Sequence, residues 1–141
     1  MTLELANRLI AATFAEARRR ELPPLAAAVL DVGGHLKAMQ RQDGLSFMRA
    51  RICEAKAWGA LAMGVDSSAL AARLDQGLQQ QGFVQALNAM SDGRVVPLPG
   101  GVLLRDGNGT IIGALGVAGA ASEQDEACAL AAAKDAGLRK G

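Results

Sequence analysis

Tyrosine is absent from this sequence, and its aromatic side chains amount to three phenylalanines and one tryptophan in 141 residues. So few flat rings argue against the stacked-base platforms that hold single-stranded nucleic acid. An excess of one charge is missing too: 15 Lys and Arg against 14 Asp and Glu leave a net charge of +1. No basic block is available to neutralise phosphates, so nucleic acid is not an expected partner. The longest apolar run, Thr110 to Ala121, falls short of the roughly 20 residues that span a bilayer. The opening Met1-Thr-Leu-Glu-Leu-Ala lacks the basic and apolar stretches of a signal peptide. No membrane association is expected. Histidine occurs once, as His35, which excludes a multi-histidine metal site. The two cysteines, Cys53 and Cys128, form neither a zinc spacing nor a redox Cys-x-x-Cys. They read as buried thiols of a cytoplasmic protein without a disulfide. Walker and Gly-x-Ser-x-Gly sequences are absent. The glycines at 107, 109 and 113 lead into a strand, so they lack the helix that a dinucleotide fingerprint requires.

What is present is apolar and small. Half of the residues are hydrophobic, enough for one domain over 1–141 with a true core. Thr2 can cap a helix running to about Arg20, with Ala6, Ile10, Thr13, Phe14 and Ala17 on one face. Pro23-Pro24 stops it. Leu25 to Asp31 has the length of a buried strand, Gly33-Gly34 turns the chain, and His35 to Arg41 alternates as a second strand. Ser46 is placed to cap a helix from Phe47 to Met63. Ser67 or Ser68 opens another, with Leu70, Leu74 and Leu78 on one side and Gly82 as its break. Phe83 to Met90 fits either a short helix or a loop. Asp106-Gly-Asn-Gly109 between two apolar runs is a hairpin signal. A last helix is expected from about Glu123 to Arg139. The order α, β, β, α, α, β, β, α describes an α+β domain, an antiparallel sheet covered by helices.

Three glycines, Gly113, Gly116 and Gly119, recur in or just after the strand that follows the hairpin. Glycine weakens a strand interior, so a helix, a partner chain or a ligand must come close to this backbone. His35 is either a half-exposed strand histidine or the one imidazole available to a site. Arg49, Cys53 and Lys56 share one stripe of their helix and Glu54 and Trp58 another. Lys56 stands among apolar neighbours, which favours a partly buried, paired lysine. Ser122-x-x-Asp125 resembles a capping box, and Asp125 and Glu126 suit a helix N-terminus, so Asp125 is a cap or a site residue.

Three ordered blocks carry a family resemblance. Asp31-Val-Gly-Gly-His-Leu-Lys-Ala-Met-Gln-Arg41-Gln-Asp43 is similar to the first signature of the GlcG/HbpS family. Glu54-Ala-Lys56-Ala resembles its helix motif. Pro99-Gly-Gly-Val102, Ile111 to Gly119 and Gln124-Asp125-Glu126 resemble its closing block. Ala118 stands where the family usually has Ser, Leu103 where it has Pro, and Trp58-Gly59 where a residue and Thr follow Lys-Ala. The resemblance implies a profilin-like α/β/α sandwich with a five-stranded antiparallel sheet flanked by helices, assembled as a homo-oligomer. Some members bind haem and are linked to haem degradation. Others accompany glycolate or aromatic catabolism, and one branch is fused to a corrinoid adenosyltransferase.

Two functions follow. In the first the chain binds haem non-covalently, since no Cys-x-x-Cys-His is present. His35 is then the axial metal ligand, Cys53 a distant second, and Arg41 or Lys56 pairs with a propionate. Asp43, Glu54, Gly116 and Asp125 are the further ligand-binding candidates. In the second, the chain is an accessory protein or isomerase-type enzyme of small organic acid or aromatic catabolism. Arg41 and Lys56 then clamp an anionic metabolite, with Asp125 in the acid/base work. A partner-binding structural oligomer is a third possibility. Small-residue stretches at Ala60 to Gly64 and Ala127 to Ala133 suggest faces that pack on a second copy. Whether a reaction is catalysed stays open.

Overall fold

A computed structural model describes residues 1–140 and places α1 at Leu3–Arg19, β1 at Ala26–Leu30, β2 at Leu36–Arg41 and α2 at Met48–Met63. Helices α3 (Ser67–Arg73) and α4 (Leu78–Met90) follow, then β3 (Gly101–Arg105), β4 (Ile111–Ala118), α5 (Ser122–Asp135) and β5 (Arg139–Lys140). Gly141, the end of the expected domain, lies outside the described residues. All strand pairs are antiparallel, in the order β2-β1-β4-β3-β5. Four strands of five to eight residues make the body of the sheet, and β5 is a two-residue pairing at its edge.

The two faces of this sheet differ in side-chain size, and that difference sorts the helices. Ala27, Val29, Val102, Leu104, Leu115 and Val117 point to one side, where they form the main core with α1 and α5. The residues alternating with them are Ala26, Ala28, Gly101, Ala114, Gly116 and Ala118, joined by Leu30 and Leu103. This second face is covered by α2, with α3 beside it. Gly101 and Gly116 are register partners across β3 and β4. A Cβ on Gly116 would overlap the carbonyl of Cys53, and one on Gly101 the carbonyl of Lys56. The close approach expected at Gly116 is therefore made by the chain's own helix, whose main chain touches the sheet's main chain. Of the other two, Gly113 abuts the Leu30 carbonyl and Gly119 that of Pro24, so both are also filled from within the chain.

Local expectations fare unevenly. The Thr2 hydroxyl accepts the Leu5 N–H at 3.1 Å and caps α1 as expected. Ser46 does not cap α2. Phe47 occupies that position without a side-chain bond, and the Ser46 carbonyl accepts the Arg49 N–H. The expected break at Gly82 is displaced. Gly82 lies inside α4, and the chain turns at a short 3-10 segment, Leu74–Gln76, and at Gly77 with φ of 98°. Leu70, Leu74 and Leu78 thus fall on three separate pieces, and Phe83 to Met90 is helical. Of the small-residue stretches, Ala127 to Ala133 is largely used within the fold, with Cys128, Ala129 and Ala132 fully buried, whereas in Ala60 to Gly64 only Ala60 is buried. No helix among the described residues is long and apolar enough to cross a membrane.

Gly116→Ala is expected to destabilise the protein by at least the upper end of the about 1–3 kcal/mol typical of overpacking, because α2 must lift off the sheet. Urea unfolding checks this; a midpoint equal to wild type would show that the helix can shift freely.

Candidate functional site

The outward side of α2 borders the larger cavity. Its volume is about 580 Å³, within the about 300–1,000 Å³ range of small-molecule sites. Three pieces of chain line it. The β1–β2 turn contributes His35, α2 contributes Met48, Arg51, Glu54 and Trp58, and the loop after α4 contributes Arg94. Arg51, Ala55 and Trp58 recur at four and three residues, which puts them on one helical face. The Arg94 guanidinium lies over the Trp58 ring, 5.4 Å from its centroid, a cation–π geometry. Apolar and cationic groups therefore face the same space.

His35 stands at the rim with 82% of its side chain exposed. Its Nδ1 is 3.4 Å from Asp31 Oδ1. That same oxygen accepts the backbone N–H groups of Gly33 at 2.9 Å and His35 at 3.1 Å. These hydrogen bonds favour the ionised form and hold the Asp31 carboxyl below its ordinary range. One carboxylate oxygen thus gathers two backbone N–H groups of the turn.

Of the expected site residues, only His35 and Glu54 line this cavity. Arg41 and Asp43 line a separate, more open cavity of about 530 Å³ with Phe14, Leu22 and Pro24. Gly116 lies beneath α2. Cys53 is fully buried, and its thiol donates to the Ala50 carbonyl. Burial pushes that thiol up to about 12, so it stays protonated and is a poor metal donor. Both cysteines are free and buried, as expected. Among the described residues, no three His, Cys, Asp or Glu side chains are grouped to hold a bare metal ion.

Lys56 and Asp125 meet each other. The Lys56 ammonium runs past Gly100 and donates to Asp125 Oδ2 and to the Val117 carbonyl, both at 3.0 Å. Both side chains are 1% exposed. Asp125 Oδ1 accepts the Ala120 N–H at 3.0 Å, so half of the expected capping function is present. The other half is not: Ala121 holds the cap position and the Ser122 hydroxyl does not cap. This pair joins α2 to α5, helices on opposite faces of the sheet. Desolvation raises the Asp125 carboxyl above its ordinary value and outweighs the pull of Lys56. The pair is a bolt between layers and does not open onto the cavity.

Nothing in the sequence groups Met48, Arg51, Trp58 and Arg94, which the fold brings to one cavity wall. The Glu54–Trp58 stripe, extended one turn back, reaches Arg51. Arg94 follows an irregular turn, where periodicity carries no information.

A family model described as "Haem degrading protein HbpS-like" matches residues 1–134. No curated protein matches the sequence. Among solved structures, a PduOC:heme complex is 24% identical with a TM-score of 0.86, over 99% of this chain and 96% of that one. At that identity the likeness is one of fold. Klebsiella pneumoniae protein ORFY is 27% identical with a TM-score of 0.85, covering 97% and 90% of the two chains. HbpS is 28% identical with a TM-score of 0.78, covering 96% and 89%.

Lys56→Met is expected to cost about 3–5 kcal/mol, because it strands a buried carboxyl, whereas the Lys56→Met/Asp125→Leu double variant recovers most of that loss. In Lys56→Met the carboxyl binds its proton more readily folded than unfolded. Its contribution to stability is then full below 3.8 and falls as pH rises through the raised value. Urea melts at several pH values check both; a loss that shrinks as pH rises would contradict the assignment.

Proposed function

This chain belongs to the HbpS-like family, and from that premise we propose that it binds haem non-covalently in the cavity between His35 and Trp58. The observation that carries this reading is that the sole imidazole in the sequence stands at the rim of the larger cavity. Iron takes its protein ligand from a short list of side chains. Tyrosine is absent, and Cys53 is a buried thiol that donates elsewhere. His35 remains, with Met48 also on the wall. Leu36, Ile52 and Trp58 give the cavity an apolar side. Arg51 and Arg94 suit paired carboxylates such as propionates. They take the role expected of Arg41 and Lys56. Bound haem would supply iron-centred redox and ligand chemistry, including the haem degradation named for the family.

A second reading has its own support. Two arginines beside a tryptophan ring also suit a small organic or aromatic acid, with Glu54 as the one acidic group of this set. Asp125, assigned to acid/base work in that reading, is held by Lys56 away from the cavity. Self-association is part of the proposal as well. Leu36 and Met48 of the cavity wall are 47% and 44% exposed, and Phe47, next to Met48 in the chain, is 72% exposed, apolar surface that a second copy can cover.

Haemin added to the wild type is expected to give a shifted, saturable Soret band, and His35→Ala to lose that shift with its fold intact, since exposed substitutions usually change stability by less than about 0.5 kcal/mol. An unchanged haemin spectrum with wild type would favour the small-acid reading. A wild-type spectrum retained by His35→Ala would move the ligand to another side chain. Light scattering is expected to report a species larger than the monomer, and Phe47→Glu to reduce it; a wild-type monomer at micromolar concentration would remove the self-association reading.

A further inference from the structure

We propose that Asp31 is a positioning residue for His35: its carboxylate accepts a hydrogen bond from the ring's Nδ1–H, which keeps the proton on Nδ1 and leaves Nε2 bare for a metal or other electrophile in the cavity. The proposal takes its purpose from the reading of His35 as an iron ligand, but its test does not depend on haem. A neutral histidine side chain in water carries its proton mainly on Nε2, the wrong nitrogen to leave occupied if Nε2 is to donate. The hydrogen bond made by one ring nitrogen decides the protonation of the other. Metal-binding histidines almost always donate their second N–H to a carboxylate, a carbonyl or water.

Asp31 is built for that task. Its Oδ1 is tied to two backbone N–H groups, of Gly33 and His35. The Asp31 N–H donates to the His35 carbonyl, and the Gly34 N–H to the Asp31 carbonyl. Carboxylate and imidazole therefore belong to one hydrogen-bonded loop of five residues. The ring lies over Gly33, where an added Cβ would be 2.8 Å from Nδ1. That packing turns the Nδ1 edge of the ring toward the loop. Among the described residues Nε2 has no hydrogen-bond partner. The Nδ1 to Oδ1 distance of 3.4 Å is long. Hydrogen bonds at functional sites are often long in unliganded structures and tighten in the complex.

The sequence holds a single histidine, so 15N-histidine labelling gives one ring to read without assignment. Long-range proton–nitrogen correlation is recorded on the unliganded protein at a pH well above the ordinary imidazole value of about 6.5. The wild-type ring is expected to carry its proton on Nδ1. Asp31→Asn keeps an oxygen for the two backbone N–H groups and lowers the acceptor strength facing Nδ1, whereas Asp31→Ala removes the acceptor and is expected to return the proton to Nε2. A wild-type ring protonated on Nε2 overturns the proposal whatever the variants do, and so does an Nδ1 proton that survives Asp31→Ala in a variant whose circular dichroism matches wild type. With haemin, Asp31→Ala is expected to weaken binding about 10–100-fold, the usual effect of losing such a partner. If wild type fails to bind haemin, the haem reading falls while the tautomer result still decides this proposal.

Discussion

Two backbones touch in the middle of this molecule, and most of what the chain can do follows from that contact. The main chain of α2 at Cys53 and Lys56 rests on Gly116 and Gly101, which face each other across two strands. No side chain separates helix from sheet there. A gap of about 0.5–1 Å already forfeits about a quarter to a half of the dispersion between close-packed atoms, so the contact weakens steeply if the helix lifts. It leaves the helix little freedom in height or rotation. Lys56 is thereby aimed past the sheet toward Asp125, and Trp58 and Arg51 are aimed the other way, into the cavity.

The ion pair and the cavity are consequences of one helix seen from two sides. Inside, Lys56 and Asp125 replace the water each has lost with three hydrogen bonds between them, to each other, to Val117 and to Ala120. Removing one partner of such a pair leaves the other's charge buried and uncompensated, which costs far more than the pair itself contributes. Outside, α2 presents alternating apolar and charged residues to a space that the β1–β2 turn and the Arg94 loop complete.

The sheet and its helices were legible because period and punctuation are local. The alternation after Gly33-Gly34, the Asp-Gly-Asn-Gly turn and the Thr2 cap all act within a few residues. Gly82 misled because one exposed glycine inside a helix costs only about 1 kcal/mol, too little by itself to end it. Ser46 and Ser122 misled because each lies one residue from the cap position, which Phe47 and Ala121 hold without a side-chain bond. The site was legible only in part. His35 and Glu54 carried a signal, while Arg94 lies 36 positions after Trp58, a separation that no periodic pattern spans. Asp125 and Lys56 looked like two separate candidates, since nothing in the sequence indicates that helices from opposite faces exchange a proton-bearing pair.

Trp58 has a consequence of a different kind. With no tyrosine and a single tryptophan, the near-ultraviolet light this protein absorbs and re-emits comes almost wholly from one cavity wall. Its emission is coupled to whatever lies against that wall, beginning with the Arg94 guanidinium over the ring. The molecule thus carries its own optical probe at the place where a ligand would sit, and occupancy there is readable as a change of colour or brightness without a label.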